Sequence, residues 1–291
     1  MFPILSPGCA LRGLRRPAYH RLMTLLDGIT SRIIDTDRLS VNILERAADD
    51  TATAPDHTLV LLHGAPASAL VWQELMQDLP SELRVIAVDL RGFGGTEHMP
   101  VDASRGVRDL SDDVAATLAH IGVEAPHLVG WDLGGAVALQ FALDHPARTI
   151  LLESPISPYG FGGTRLDGTR LHDDDAGCGA GAANPEFVRR LTAREFGDEA
   201  PASPRSIFRS DFVAEGFTTD QEDLWVEAML TTSTATGNYP GEAVASPHWP
   251  GYAPGRFGIL NALAPGNFDV SGIVDLADKP AILWVRGVLD A

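Results

Sequence analysis

The sequence predicts an α/β fold: a mainly parallel sheet flanked by helices, with a cap inserted before the last strand. Three observations carry that expectation. Short, continuous apolar runs, the mark of strands buried on both faces, alternate with helix-period segments between Leu59 and Leu152. That alternation stops near Ser157, where proline, glycine, acids and aromatics take over, and it resumes only at Pro280. Several of the apolar runs also lead into glycine-rich turns, the places where open α/β sheets gather their chemistry.

Taken in order, residues 31–46 read as two strands, with β-branched Ile33, Ile34, Val41 and Ile43. Residues 59–62 form the first buried strand, and 67–79 have helical spacing at Leu70, Val71, Leu75 and Leu79. A second buried strand covers 85–88, followed by an amphipathic helix over 110–121 with Val114, Leu118 and Ile121 on one face. Leu128 and Val129 begin a short third strand that enters a glycine; 136–143 is helical and 149–152 is a fourth strand. Strands alternating with helices imply right-handed crossovers and a parallel sheet. Within the irregular stretch only 185–194 and 220–230 read as helices, and 280–285 is again a strand. The expected organisation is therefore an N-terminal segment (1–26), the first part of the core (27–156), a cap or lid (157–270), and the last strand with an acid loop (271–291).

Composition narrows the function. The 291 residues are enough for one α/β domain with an insertion, and 45% hydrophobic with 21% charged residues is ordinary globular chemistry. A formal charge of −17 argues against nucleic acid or anionic membrane as partners. No apolar run approaches the roughly 20 residues of a membrane span. Lys279 is the sole lysine, which fits either arginine-favouring codons or a high-salt cytoplasm. Cys9 and Cys178 form no metal or redox motif and read as free thiols in a cytoplasmic protein. The first 21 residues hold four arginines and no acid but no apolar signal core, so the segment is expected to be poorly ordered. Met23, which opens the acidic sequence, suggests an over-extended gene start.

The third strand runs into Gly130-Trp131-Asp132-Leu133-Gly134-Gly135, a G-x-nucleophile-x-G arrangement between strand and helix. Small flanking residues are needed where a strained nucleophile sits on a sharp turn. A helix N-cap is the plainer role for Asp132, but the paired glycines after a buried strand favour the nucleophile position. The first strand ends His63-Gly64-Ala65-Pro66, a turn that can aim the Ala65 N–H at the reacting centre, where with the Leu133 N–H it would form an oxyanion hole. His63 itself reads as a structural hydrogen-bonder. The second strand ends Asp89-Leu90-Arg91-Gly92-Phe93-Gly94-Gly95-Thr96, in which Asp89 and Arg91 read as loop braces.

In this order, H-G-x-P, D-x-R-G-x-G-x-[ST] and G-x-D-x-G make the chain resemble the α/β-hydrolase superfamily over residues 31–154 and 278–291. Most members carry serine at the elbow; aspartate resembles the epoxide hydrolase and haloalkane or haloacetate dehalogenase branches. The resemblance implies that the carboxylate attacks an sp³ carbon and forms an alkyl-enzyme ester, which activated water then hydrolyses. Leu133 stands where dehalogenases usually have tryptophan or arginine, and Ala65 where they often bind halide. H-G-x-P is more typical of epoxide hydrolases, whose cap offers two tyrosine hydroxyls; Tyr159, Tyr239 and Tyr252 are candidates, and Trp131 is a candidate substrate contact. Gly287-Val288-Leu289-Asp290 resembles the superfamily's acid loop, making Asp290 the expected partner of a catalytic histidine. That histidine is expected after one more strand, whereas the sequence stops at Ala291, so a truncated C-terminus is the expectation. No cofactor or metal is implied, and the expected partner is a small neutral or apolar substrate. Two other readings stay open: an esterase-like scaffold in which aspartate replaces serine, and a non-catalytic ligand-binding protein.

Overall fold

A computed structural model describes residues 24–48 and 58–288. In chain order the core elements are β1 (Thr30–Asp35), β2 (Ser40–Arg46), β3 (Thr58–Leu62), α1 (Gln73–Asp78), β4 (Arg84–Val88), α2 (Arg108–His120), β5 (His127–Trp131), α3 (Leu133–Asp144) and β6 (Thr149–Glu153). Between β6 and the last strand come α4 (Pro185–Ala193), α5 (Pro204–Ile207), α6 (Glu222–Leu230), β7 (Ala243–Ala245), β8 (Tyr252–Pro254) and α7 (Ile259–Ala262); β9 (Ala281–Val285) completes the order. The helix expected over 67–79 divides into a 3₁₀ turn, Ala69–Trp72, and the short α1.

Seven strands form one sheet in the order β1-β2-β4-β3-β5-β6-β9. The β1–β2 hairpin joins antiparallel to β4, and the remaining pairs are parallel. The chain steps from β3 to β4 in one direction, then returns past β3 to place β5 on its other side. Right-handed crossovers run in opposite directions must lie on opposite faces. Accordingly Met76 of α1 is buried on one face with Leu44, Leu61 and Ala87, while α2 and α3 bury Val114, Leu118, Val137 and Phe141 on the other with Val60, Ile86 and Ile150. The strand order reverses between β3 and β5, and it is beyond the carboxyl ends of strands at such a switch point that an open α/β sheet receives its ligand.

The segment between β6 and β9 packs over that end in two parts. The helical part, α4 to α6, rests on the 3₁₀ turn through α6. The irregular part is held to the loop after β4 by backbone hydrogen bonds: Val101 N–H to Gly237 O, Ala103 N–H to Arg256 O and Gly258 N–H to Val101 O.

The strand expected over 280–285 is present as β9, and every one of its residues is exposed, with Leu283 at 58% and Trp284 at 45%. Its register continues the apolar row Leu61, Val129, Leu151 outward to Leu283, and no strand lies on its far side among the described residues. Beside it, Leu75, Leu79, Leu83, Val129, Leu151 and Val285 line an open apolar hollow of ≈ 670 Å³. Residues 1–23 and Asp290 lie outside the described residues, so the expectations for both rest on sequence; Thr24 and Leu26 are already fixed by Gln73.

Candidate active site

The elbow after β5 is built by close packing. Asp132 adopts φ 50°, ψ −114°, a conformation costly for any residue with a Cβ and held only by its surroundings. A Cβ on Gly130 would lie 2.4 Å from the carbonyl oxygen of Gly134, and one on Gly134 would lie 2.1 Å from that of Leu62. The two glycines therefore let β5, α3 and β3 meet at backbone distance. Asp132 N–H donates to Glu153 O at 3.1 Å, which fixes the turn against β6.

The side chain of Asp132 points at the turn after β3. Its Oδ2 accepts the Ala65 N–H at 2.9 Å, and the carboxylate also accepts the Leu133 N–H. Both expected oxyanion donors thus converge on the aspartate itself. Burial pushes the Asp132 carboxyl above its ordinary range, and the two N–H groups pull it down. Although it is deeply set, solvent still reaches the residue.

The neighbouring motifs serve as supports. Buried His63 donates from Nδ1 to Gly64 O and accepts the Leu90 N–H at Nε2, at 2.7 and 3.0 Å; this pairing defines its tautomer. Burial lowers His63 to about 4, against a smaller opposing effect from Gly64. Asp89 accepts from Ala69 N–H, Gly95 N–H and Asn42 Nδ2, tying the turns after β3 and β4 together. Arg91 forms two hydrogen bonds with buried Asp113, at 2.7 and 2.8 Å. These placements match the bracing roles read from the motifs.

Of the three cap tyrosines, only Tyr239 comes to the elbow. It is buried, and burial together with the Asp132 charge keeps its hydroxyl protonated well above the ordinary range. The preceding residue anchors it: Asn238 Nδ2 donates to Met99 O, while Ser233 N–H donates to Gly92 O and Tyr239 N–H to Ser233 O. The rings of Tyr159 and Tyr252 lie instead against Gly168 and Gly181, inside the irregular part of the cap. The Trp131 ring meets Phe212 and Trp225 of the helical part at 5.7 and 5.9 Å. Sequence reasoning missed those two partners, and no spacing in the chain pairs them with Trp131. His172 and His248 stack on each other at 4.3 Å, and His127 binds Thr149 Oγ1. Among the described residues, no three His, Cys, Asp or Glu side chains gather to hold a metal ion.

A family model described as alpha/beta hydrolase fold matches residues 57–172. The chain has the α/β-hydrolase fold. It is 30% identical to a fluoroacetate dehalogenase from Burkholderia sp over 131 residues, 44% of this chain and 41% of the relative. It is 37% identical to a soluble epoxide hydrolase from Corynebacterium sp. (strain C12) over 89 residues, 31% of this chain and 30% of the relative. These matches span less than half the length of the curated relatives. An esterase structure from Exiguobacterium antarcticum superposes with a TM-score of 0.57 at 16% identity, over 88% of this chain and 80% of that one, a likeness of fold. No described helix is long and apolar enough to cross a membrane.

Proposed function

We propose that this α/β-hydrolase is built for attack by Asp132 on an sp³ carbon of a small neutral or apolar molecule, of the epoxide or alkyl halide class. The observation that carries the reading is the occupation of the Ala65 and Leu133 N–H donors by the Asp132 carboxylate. A serine-type acyl transfer needs those donors for the substrate's oxyanion. Here they orient the nucleophile, with the Ala65 N–H on Oδ2, and the attack is assigned to the carboxylate's other oxygen. Similarity to a fluoroacetate dehalogenase and an epoxide hydrolase supports the same chemistry.

In the first step the free oxygen forms a C–O bond as the epoxide C–O or carbon–halogen bond breaks. A halide leaves as an anion, whereas an epoxide oxygen needs a proton, and Tyr239 is the protonated cap hydroxyl beside Asp132. The resulting ester would then have its carbonyl oxygen at the same two N–H groups when water attacks it. Asp290, outside the described residues, keeps its expected role as acid partner of a base that activates this water. Histidines 63, 127, 172 and 248 are engaged elsewhere. Ester formation is the step for which Asp132, Ala65, Leu133 and Tyr239 supply the groups.

Incubation with styrene oxide or a reactive alkyl halide, followed by intact-protein mass spectrometry and peptide mapping, tests this. The expected result is an adduct on Asp132 that is absent in Asp132→Asn. A folded protein giving no adduct with either reagent class would support the esterase-like or ligand-binding reading instead.

A further inference from the structure

Trp131 immediately precedes Asp132. Its ring lies against Gly64, where an added Cβ would sit 3.0 Å from Cδ2 and Cε3 of the indole and 2.9 Å from the Asp132 Cβ. The side of Gly64 that would bear a Cβ thus packs directly on both Trp131 and Asp132, and the peptide that follows it carries the Ala65 N–H. On its outer side the indole packs edge-to-face on Phe212 and Trp225, with interplanar angles of 86° and 75°. Trp225 in turn packs on buried Phe208 at 5.6 Å. Phe208 and Phe212 are the two ends of a π-helical turn, Phe208–Phe212, a wide turn frequent at functional sites. A continuous row of rings therefore runs from the helical part of the cap to the backbone of the oxyanion loop.

We propose that Trp131 is a positioning residue through which the helical part of the cap holds the Ala65 N–H on Asp132. The two parts of the cap are attached differently. The irregular part is bonded to the core by backbone hydrogen bonds, while rings and packing hold the helical part at this point. Offset and edge-to-face ring pairs are worth about 0.5–1.5 kcal/mol each beyond their buried area, enough to bias a loop without locking it. Molecules that fit beneath the helical part leave the row intact and meet an oriented carboxylate. Bulkier ones that lift it loosen the Ala65 donor and lose reactivity. The size limit rests on the proposed nucleophilic role of Asp132, but the coupling itself does not.

The coupling is read without any substrate, by amide hydrogen exchange followed by NMR in the full chain. Phe212→Ala, on the cap and remote from the backbone of the loop, should speed exchange of the Ala65 amide at least tenfold. Leu133, held by the start of α3, should change less than threefold, as should core amides such as Val60. Trp131→Ala should do the same, and Trp131→Phe should restore most of the protection. If Trp131→Ala does not fold, Phe212→Ala and Trp225→Ala alone decide the matter. Unchanged Ala65 exchange in the cap variants would overturn the proposal, as would a parallel rise at Ala65, Leu133 and Val60. Absence of an Asp132 adduct would remove the nucleophile reading and leave this result standing.

Discussion

The Ala65 N–H meets Oδ2 of Asp132 at 2.9 Å across 67 residues of chain, so the proposed nucleophile itself occupies this donor. The contact exists because β3 and β5 are sheet neighbours at the point where strand order reverses.

Asp132 must be ionised to attack, and burial has raised its proton affinity. The alkylation rate should rise with pH through a midpoint above the ordinary carboxylate value of about 4 and then level off. Linkage gives a second readout. A carboxyl whose folded pKa is raised stabilises the fold only at acid pH and loses that contribution as pH rises through the folded value. Asp132→Asn should therefore be more stable than the parent at pH 7 in urea unfolding, with the gap closing at acid pH. A loss of stability at pH 7 would contradict the burial argument.

Tyr239→Phe separates the two substrate classes. An epoxide needs a proton on its departing oxygen, while a halide departs without one. Adduct formation at Asp132 should fall about 100-fold with an epoxide and less than about threefold with an alkyl halide. Equal losses with both would assign Tyr239 to packing alone.

His63 titrates at about 4 in the folded chain, below the ordinary 6.5, because it is buried. The unfolded chain takes up this proton first, so stability is present above pH 6.5 and drains away as pH falls toward 4. Urea midpoints across that window should decline with a component of one proton, and His63→Asn should lack the component while being weaker at neutral pH. An identical pH slope in both proteins would refute the assignment.

Gly134→Ala and Gly122→Ala test the elbow packing. An added methyl at Gly134 meets the Leu62 carbonyl oxygen at 2.1 Å, so backbone must move; the expected cost is about 3 kcal/mol, with loss of Asp132 reactivity. Gly122 has φ 74° but open space around it, so alanine there costs only strain, about 1 kcal/mol, and spares reactivity. Thermal melts of the two variants give the comparison directly.

Much of the catalytic end was legible because each motif joins a buried strand to a glycine-rich turn. Hydrophobic runs located β3, β4, β5 and β6, and the glycines around Asp132 revealed a backbone constraint before any coordinate did. The three cap tyrosines looked alike in sequence, since only the long-range contacts of Asn238 and Ser233 with the loop after β4 bring Tyr239 forward. The ring row through Trp131 was invisible for the same reason: its partners come from the insertion, where no periodicity sets distance. The apolar run at 281–285, by contrast, located β9.

Charge supplies the last prediction. With −17 formal charges and one lysine, like charges repel throughout the molecule. Salt at about 1 M shortens the Debye length to about 3 Å and should raise the melting temperature. A flat or falling melting temperature would leave codon bias as the account of the composition.

That same screening acts between molecules as well as within them. Among the described residues no strand lies beyond β9, and Ile282, Leu283, Trp284 and Val285 are exposed in a row, a surface on which a strand can add. At low ionic strength the mutual repulsion of acidic bodies is a colloidal barrier to such encounters. Raising the salt lowers that barrier while it strengthens each fold. Conditions that give the highest melting temperature should then give the shortest shelf life in concentrated solution, with turbidity growing as the individual molecules become harder to unfold.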